Sequence, residues 1–129
     1  MNIPTDIKFT EQDEWVRVEG NIAKMGISDF AQDQLSDIVF VEILVAEGED
    51  VNKGDSCATI ESVKAAADVY IPVSGLIVAV NEELADSPEV VNSDPYGEAW
   101  MVKIEMSDPS ELEQLMNSET YTKFIEEKE

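Results

Sequence analysis

The sequence has no histidine, a single cysteine and few basic residues. Among its 129 residues, 8 are Lys or Arg and 29 are Asp or Glu, which gives a formal net charge of −21 at pH 7. Without histidine, Ser-His and Cys-His nucleophiles are excluded and the commonest metal ligand is missing, so we expect no metal site. So acidic a chain is also poorly suited to neutralising phosphates, which excludes nucleic acid as a partner.

Long apolar runs and a signal-like beginning are missing as well. No run approaches the length of a membrane span, and residues 1–6 lack the basic region and apolar core of a secretory signal. The lone Cys57 cannot form an internal disulfide and lies in an apolar stretch, which favours a buried position. We therefore expect a cytoplasmic protein that makes no contact with a membrane.

The remaining composition is that of a folded domain. Apolar residues make up 43% of the chain, and a chain of this length predicts a single domain over residues 1–129. The acidic residues then lie on the surface, where they keep the protein soluble and monomeric and attract basic patches of partners. Composition alone does not separate solubility from recognition.

Apolar segments in the first hundred residues are short, β-branched and closed by turn residues. Those on either side of Gly20–Asn21 predict a hairpin, and residues 38–45 give the strongest strand signal. A weak duplication relates 42–55 to 75–94, with a longer turn in the second half. The predicted fold class is mainly β, a flattened barrel or sandwich of two small antiparallel sheets related by a pseudo-twofold.

Helical spacing of apolar residues occurs in two regions. A short helix is predicted near residues 28–35, and short C-terminal helices are predicted to form a cover over the β body across residues 108–127. Residues 126–129 are expected to fray in solvent. The predicted helix caps are Ser28, Asp108 and Ser118.

The segment between the two half-units contains the most distinctive side chain. It connects a strand ending near Ile60 to one starting near Val69, which places Lys64 at or near the tip of a hairpin over residues 60–70. Alanines follow Lys64, so the active site of another protein could receive its amine. Without further context, Lys64 would be interpreted as an ordinary solvated turn lysine.

This hairpin resembles a known family. Glu61-Ser62-Val63-Lys64, followed by Pro72-Val73-Ser74-Gly75, resembles the lipoyl-attachment hairpin of the glycine cleavage system H protein. Further similarity extends over most of the chain, including residues 26–35, 37–42 and 92–97. The resemblance implies a lipoyl/biotinyl-like fold with Lys64 as the attachment point. It also implies that Glu61, Ser62 and Val63 form the attachment motif.

The resemblance implies a carrier that catalyses no reaction itself. Lipoate would form an amide with Lys64, which removes the charge of the lysine and extends it to a dithiolane. The carrier would shuttle the aminomethyl intermediate of glycine decarboxylation between glycine decarboxylase, aminomethyltransferase and dihydrolipoyl dehydrogenase, after modification by a lipoylating enzyme. Tethering makes sense because it sets the effective concentration of the intermediate at each site.

The resemblance also implies a cleft that protects the lipoyl-lysine arm while the arm carries the aminomethyl group. The ammonium of the arm favours a nearby carboxylate, and its water-sensitive bond favours apolar walls. The resemblance nominates Glu14 and Asp68 as the acidic side of this cleft, and Ile27 as part of its wall. In the competing interpretation Glu14 and Asp68 are ordinary solvated carboxylates, and Ile27 is a core residue.

Three positions depart from the family pattern. Asp13 stands where histidine is usual, which puts in doubt any partner contact that depends on an imidazole. Ser36 and Ala99 stand where glycine is common. At both positions we expect a negative φ, or strain if φ is positive.

Other functions stay open. A biotinyl-type carrier shares the hairpin, but it usually has methionine on both sides of the lysine, where this chain has Val63 and Ala65. A lipoate-relay paralogue of the H protein that does not act in glycine cleavage would keep the same attachment residues. A hydrolase that uses paired carboxylates and a structural protein with an unmodified Lys64 are further alternatives.

Overall fold

Strands are the commonest regular elements of the computed structural model, which describes residues 2–128. This range contains nine strands, four α-helices and one 3-10 helix. The strands are β1 (Lys8–Phe9), β2 (Glu14–Glu19), β3 (Ile22–Ile27), β4 (Ile38–Ile43), β5 (Asp50–Val51), β6 (Ser56–Ser62), β7 (Ala66–Tyr70), β8 (Gly75–Val80) and β9 (Val102–Met106). The helices are α1 (Asp29–Leu35), α2 (Glu83–Asp86), α3 (Val90–Ser93), the 3-10 helix (Pro109–Gln114) and α4 (Ser118–Lys128). Within the described range, none of the helices is long and apolar enough to cross a membrane.

The strands form two antiparallel sheets. One sheet has six strands in the order β1-β2-β3-β9-β8-β5, and the other has three in the order β4-β6-β7. The mainly β prediction with two antiparallel sheets is confirmed. The two described sheets form no closed barrel, so the sandwich is the form of the predicted fold that the structure adopts.

The main core lies between the two sheets. The six-stranded sheet contributes residues such as Met25 and Ile104, and the three-stranded sheet contributes Val41 and Ile60. Cys57 is fully buried in this core, as predicted. Desolvation raises the pKa of its thiol to about 12. A thiol that stays protonated is inert at neutral pH, so Cys57 is a packing residue.

Glycine is required at two places in the six-stranded sheet. The β2–β3 hairpin turns at Gly20, whose φ of +64° is unfavourable for residues with a side chain. At the start of β8, a Cβ on Gly75 would collide with the carbonyl oxygen of Glu105 in β9. The absence of a side chain at Gly75 therefore allows β8 and β9 to pair closely.

A second, aromatic core fixes the C-terminal segment. The ring of Tyr121 in α4 stacks on Phe9 of β1 with centroids 4.2 Å apart. The main chain of Phe9 also exchanges two hydrogen bonds with Met116. The remaining buried members are Ile7, Trp15, Phe30, Tyr96 and Ile125. The segment packs on the β body through this cluster.

Two details of the predicted C-terminal segment are wrong. The side chain of Asn117, rather than that of Ser118, caps α4 by accepting from the amide of Thr120 at 2.8 Å. Helix α4 also continues to Lys128, so residues 126–128 of the segment predicted to fray are helical, and Glu129 lies outside the described residues. The ammonium of Lys128 bonds Asp13 at 3.0 Å and lies over the ring of Phe124, which holds the last turn in place.

Helices α2 and α3 were not predicted from the sequence because each is a single turn.

Ser28 caps α1 as predicted, since its hydroxyl accepts from the amide of Ala31. Ser36, at the other end of α1, has φ +68° and ψ −153°, a region that is essentially restricted to glycine. The expectation of strain therefore applies to Ser36, whereas Ala99 has no positive φ. The side chain of Asn92 supports the strained turn by donating to the carbonyl of Ser36 and accepting from the amide of Ile38.

Candidate functional site

The turn between β6 and β7 presents Lys64. Ser62 ends β6, and its hydroxyl accepts from the amides of Lys64 at 3.3 Å and Ala65 at 3.0 Å. The main-chain amide of Ser62 closes the turn by donating to the carbonyl of Ala65 at 2.8 Å. A single serine side chain thus fixes the backbone on both sides of the lysine.

The side chain of Lys64 is exposed at this tip. Of the ion pairs found between residues 2 and 128, none includes Lys64. The amide of Val63 donates to the carbonyl of Asp37 at 3.0 Å, which attaches the turn to the chain just before β4. Lys64 is therefore an accessible amine on an anchored turn.

The other residues around the lysine leave space for a visiting protein. Val63 is 67% exposed, and Ala65 and Ala66 have small exposed side chains. Glu61 is exposed and pairs with Ala66 across the hairpin. Along the hairpin, Lys64 is therefore flanked by one exposed apolar side chain, one carboxylate and two methyl groups.

Glu14 lies in very different surroundings, with only 1% of its surface exposed. One carboxylate oxygen accepts from the hydroxyl of Thr10 at 2.8 Å, and the other accepts from the amide of Tyr70 at 2.9 Å. Burial raises the pKa of Glu14, and the two hydrogen bonds oppose that shift. Glu14 is thus a buried carboxylate held by two donors, not the solvated one of the competing interpretation.

The other two predicted residues, Ile27 and Asp68, lie on β3 and β7. Ile27 is directly opposite Glu14 in the β2–β3 pairing, and it is buried in the main core. Asp68 is exposed on β7, two residues before Tyr70, the residue whose amide binds Glu14. The structure places the three predicted residues on the neighbouring strands β2 and β3 and on β7, which contacts β2 through Glu14.

A cavity of about 320 Å³ adjoins Glu14. Its lining includes Thr10, Lys53, Tyr70 and Gln114, but neither Ile27 nor Asp68. The ammonium of Lys53 donates to the amide oxygen of Gln114 at the edge of the cavity. Thr10, Lys53 and Gln114 were not predicted from the sequence. Only the hydroxyl of Thr10, four residues before Glu14, gave a local signal.

Asp13, one of the three departures noted in the sequence, belongs to a partly buried network. Its carboxylate accepts from the hydroxyl of Tyr121 at 2.9 Å and from the ammonium of Lys128 at 3.0 Å. The Tyr121 hydroxyl also lies 2.6 Å from the hydroxyl of Ser28. Burial is the main cause that raises the pKa of Tyr121, so this hydroxyl stays protonated. Asp13 therefore holds α4 against the segment before β2, and Tyr121 connects α4 to the start of α1.

Comparisons with known proteins agree with each other. The family model described as glycine cleavage H-protein matches residues 7–128. The glycine cleavage system H protein of Carboxydothermus hydrogenoformans is 51% identical over 125 residues, which are 97% of this chain and 95% of that protein. The one from Staphylococcus epidermidis is 50% identical over 127 residues, which are 98% of this chain and 100% of that protein.

A solved structure of the same kind of protein has a similar fold. The crystal structure of a glycine cleavage system H protein from Mycobacterium marinum superposes with a TM-score of 0.84 at 32% sequence identity. The superposition covers 94% of this chain and 97% of that one.

Proposed function

This chain belongs to the glycine cleavage H-protein family, and we propose that it carries lipoate on Lys64. The family is the carrier component of the glycine cleavage system. In the proposal, one carrier domain over the whole chain shuttles the aminomethyl unit of glycine between glycine decarboxylase, aminomethyltransferase and dihydrolipoyl dehydrogenase. A cytoplasmic location and a monomeric state stay predictions.

The observation that supports this proposal most is the placement of Lys64. Its side chain is exposed on a turn that Ser62 and the carbonyl of Asp37 fix, and no ion pair within residues 2–128 restrains its amine. These surroundings fit a lipoyl group, because an acylating enzyme can reach the nitrogen without unfolding the hairpin. When bound, lipoate supplies a disulfide that accepts and releases the one-carbon unit.

The residues of the chain have separate tasks in this proposal. Ser62 holds the backbone of Lys64, so the side chain extends from a fixed position on the turn. Since β6 and β7 pair along five residue pairs below the turn, the lysine stands on a stiff base. The positions of the turn and of the Lys64 backbone are therefore set before any partner binds, which lowers the entropic cost of docking.

We also propose that Glu14 and Asp68 receive the positively charged end of a loaded arm, with Ile27 behind Glu14. Glu14 adjoins the 320 Å³ cavity, and a docked cation would favour its charged form against the desolvation that raises its pKa. Asp68 would act from the exposed face of β7. Burial of Ile27 makes it a support for Glu14 rather than an open wall.

Glycine-dependent exchange of carbon dioxide tests the carrier function. Lipoylated protein mixed with glycine decarboxylase should support exchange of labelled bicarbonate into the glycine carboxyl group. The Lys64→Arg variant should support none. A lipoylated protein that supports no exchange would overturn glycine cleavage as the function and would favour the lipoate-relay alternative.

Hydrolysis of the loaded carrier tests the docking of the arm. The double variant Glu14→Gln/Asp68→Asn should release formaldehyde from the loaded protein faster than the wild type, because the ammonium loses both carboxylates. The control Glu126→Gln/Glu127→Gln, on the exposed end of α4, removes the same charge elsewhere. Equal hydrolysis rates for wild type and Glu14→Gln/Asp68→Asn would contradict the docking proposal.

A further inference from the structure

Glu14 is a buried carboxylate that lacks a cationic partner among residues 2–128. None of the ion pairs in this range includes it. A buried charge normally pairs with an opposite charge or is neutralised by a proton. Here the hydroxyl of Thr10 and the amide of Tyr70 each donate to one carboxylate oxygen, and both donors are neutral. The surroundings therefore hold an anion without cancelling its charge.

The hydroxyl of Thr10 donates to Glu14 in a fixed direction. Its oxygen accepts from the amide of Gln12 at 3.2 Å and from the amide of Glu14 at 3.1 Å, which uses both of its lone pairs. The single proton of the hydroxyl then points to the Glu14 carboxylate oxygen, 2.8 Å away. Because the Thr10 oxygen has no lone pair left, it cannot accept a proton from a neutral Glu14 in exchange. This hydrogen bond therefore favours the charged form of Glu14.

The backbone keeps the two side chains together. The amide of Thr10 donates to the carbonyl of Glu14 at 2.9 Å, and the amide of Asp13 donates to the carbonyl of Thr10 at 3.2 Å. Thr10 is also buried, so water competes little for its hydroxyl. The donor is thus in place in the folded chain before any arm is loaded.

Charged groups around Glu14 do not replace this donor. Burial is the main cause that raises the pKa of Glu14, and the charge of Asp13 adds to the shift. The ammonium of Lys53, which also lines the cavity, bonds Gln114 instead of Glu14. The other titratable groups of the neighbouring elements are neutral or acidic, and they are Glu11, Cys57, Asp68 and Tyr70. The charged form of Glu14 therefore depends on Thr10 and on the amide of Tyr70.

We propose that Thr10 is a positioning residue for the loaded arm, because its hydroxyl holds the Glu14 carboxylate charged and in one orientation for the ammonium of the aminomethyl group. The proposal rests on the proposed function, since it requires the arm to dock at Glu14. Thr10 and Glu14 line the same cavity, and each carboxylate oxygen keeps a lone pair beyond the donor it already has. Thr10 acts through Glu14 and needs no contact with the arm.

Thr10 could instead serve only to stabilise its loop. Serine and threonine hydroxyls often accept from amides a few residues further along the chain, as Thr10 does from Gln12 and Glu14. A residue with that role alone would change stability without changing the titration of Glu14. A positioning residue would change both the titration and the protection of the arm, and its effect would disappear when Glu14 is replaced.

Carbon NMR of the Glu14 carboxyl group tests the hydrogen bond in the apoprotein, without lipoate. Thr10→Val keeps the shape of threonine and should raise the pKa of Glu14 above that of the wild type, because the charged form loses a donor. Thr10→Ser keeps the hydroxyl and should restore the wild-type titration. The control Thr122→Val removes a hydroxyl that bonds the carbonyl of Ser118 on α4, and it should leave the titration of Glu14 unchanged.

Release of formaldehyde from the loaded carrier tests the role of Thr10 in docking. At neutral pH, Thr10→Val should hydrolyse about fivefold faster than the wild type, whereas Thr10→Ser and Thr122→Val should stay within about twofold of it. In a Glu14→Gln background, Thr10→Val should add less than about twofold. On acidification, the protection measured relative to Glu14→Gln should be lost at a higher pH in Thr10→Val than in the wild type.

Urea unfolding shows whether each variant is folded. If Thr10→Val does not fold, Thr10→Ala takes its place in both measurements, because it also removes the hydroxyl but brings no second methyl group towards the amides of the loop. Its expected effects on the titration and on the hydrolysis rate have the same direction.

An unchanged pKa of Glu14 in Thr10→Val would overturn the proposal and leave the carrier function intact. A raised pKa with an unchanged hydrolysis rate would also overturn it, together with docking of the arm at Glu14. Equal acceleration by Thr10→Val with and without Glu14→Gln would assign Thr10 to the stability of its loop alone. A wild type that never accepts lipoate would overturn the carrier function, and the role of Thr10 in docking with it.

Discussion

The amine of Lys64 and the carboxylate of Glu14 are placed in opposite ways. Lys64 is exposed on a turn whose hydrogen bonds come mainly from residues 62–65. Glu14 is buried, and its donors come from Thr10 on the same segment and from Tyr70, which is 56 positions away. A solvated charge needs no partner, whereas a buried charge must be held by groups that only the complete fold assembles.

The largest effect on stability is expected for the loss of a donor to the buried Glu14. Thr10→Val removes the hydroxyl that donates to Glu14, and it should lower the free energy of unfolding by about 1–3 kcal/mol because a buried carboxylate oxygen is left without its donor. Urea unfolding measures the loss. The control Thr5→Val, at an exposed position, should change stability by less than about 0.5 kcal/mol. Equal effects of the two variants would contradict the account of Glu14.

The strain at Ser36 predicts a smaller effect of opposite sign. Ser36→Gly should raise the free energy of unfolding by about 1 kcal/mol, since relief of the strain exceeds the added entropy of the unfolded chain. The matched control is Ser87→Gly, which also follows a helix but at φ −134°. That control should destabilise by about 0.5–1 kcal/mol. A loss of stability in Ser36→Gly would show that Ser36 bears no net strain.

For the exposed turn that carries Lys64, we expect a small change in stability and a larger change in function. Ser62→Ala should cost less than about 1 kcal/mol in unfolding free energy, because water replaces the lost hydrogen bonds. It should nevertheless slow lipoylation of Lys64, since the turn no longer fixes the lysine backbone. Ser62→Thr keeps the hydroxyl and should restore the rate. Equal rates for Ser62→Ala and the wild type would show that the turn needs no side-chain support.

The smallest expected effect is a dependence on pH. Burial raises the pKa of Glu14 in the folded state above the ordinary value of 4.5, so the folded state binds its proton more tightly. The contribution of Glu14 to stability therefore falls as pH rises from about 4.5 through the folded-state pKa. The Glu14→Gln variant should become more stable relative to the wild type over that window, as measured by urea unfolding at several pH values. A constant difference would contradict the raised pKa.

The sequence predicted the locally determined parts well. Gly20 marks a hairpin turn, Ser28 marks a helix start, and Lys64 lies in a turn flanked by β-branched segments, so each can be identified from its neighbours. The resemblance then gave the family, which the comparisons confirm.

Features that depend on distant parts of the chain could not be predicted. The amide of Tyr70 reaches Glu14 only because β7 passes β2, and Lys128 meets Asp13 only after α4 packs on β1. No local pattern encodes either contact. Residues that line the cavity next to Glu14, such as Lys53 and Gln114, were missed for the same reason.

Intact mass after lipoylation tests the central claim most directly. The wild type, incubated with a lipoate-protein ligase, lipoate and ATP, should gain the mass of one lipoyl group. Lys53→Arg, whose lysine bonds Gln114 rather than standing on the turn, should gain the same mass, and Lys64→Arg should gain none. A wild type that gains no lipoyl group, or a Lys64→Arg variant that still gains one, would contradict the assignment of Lys64 as the carrier residue.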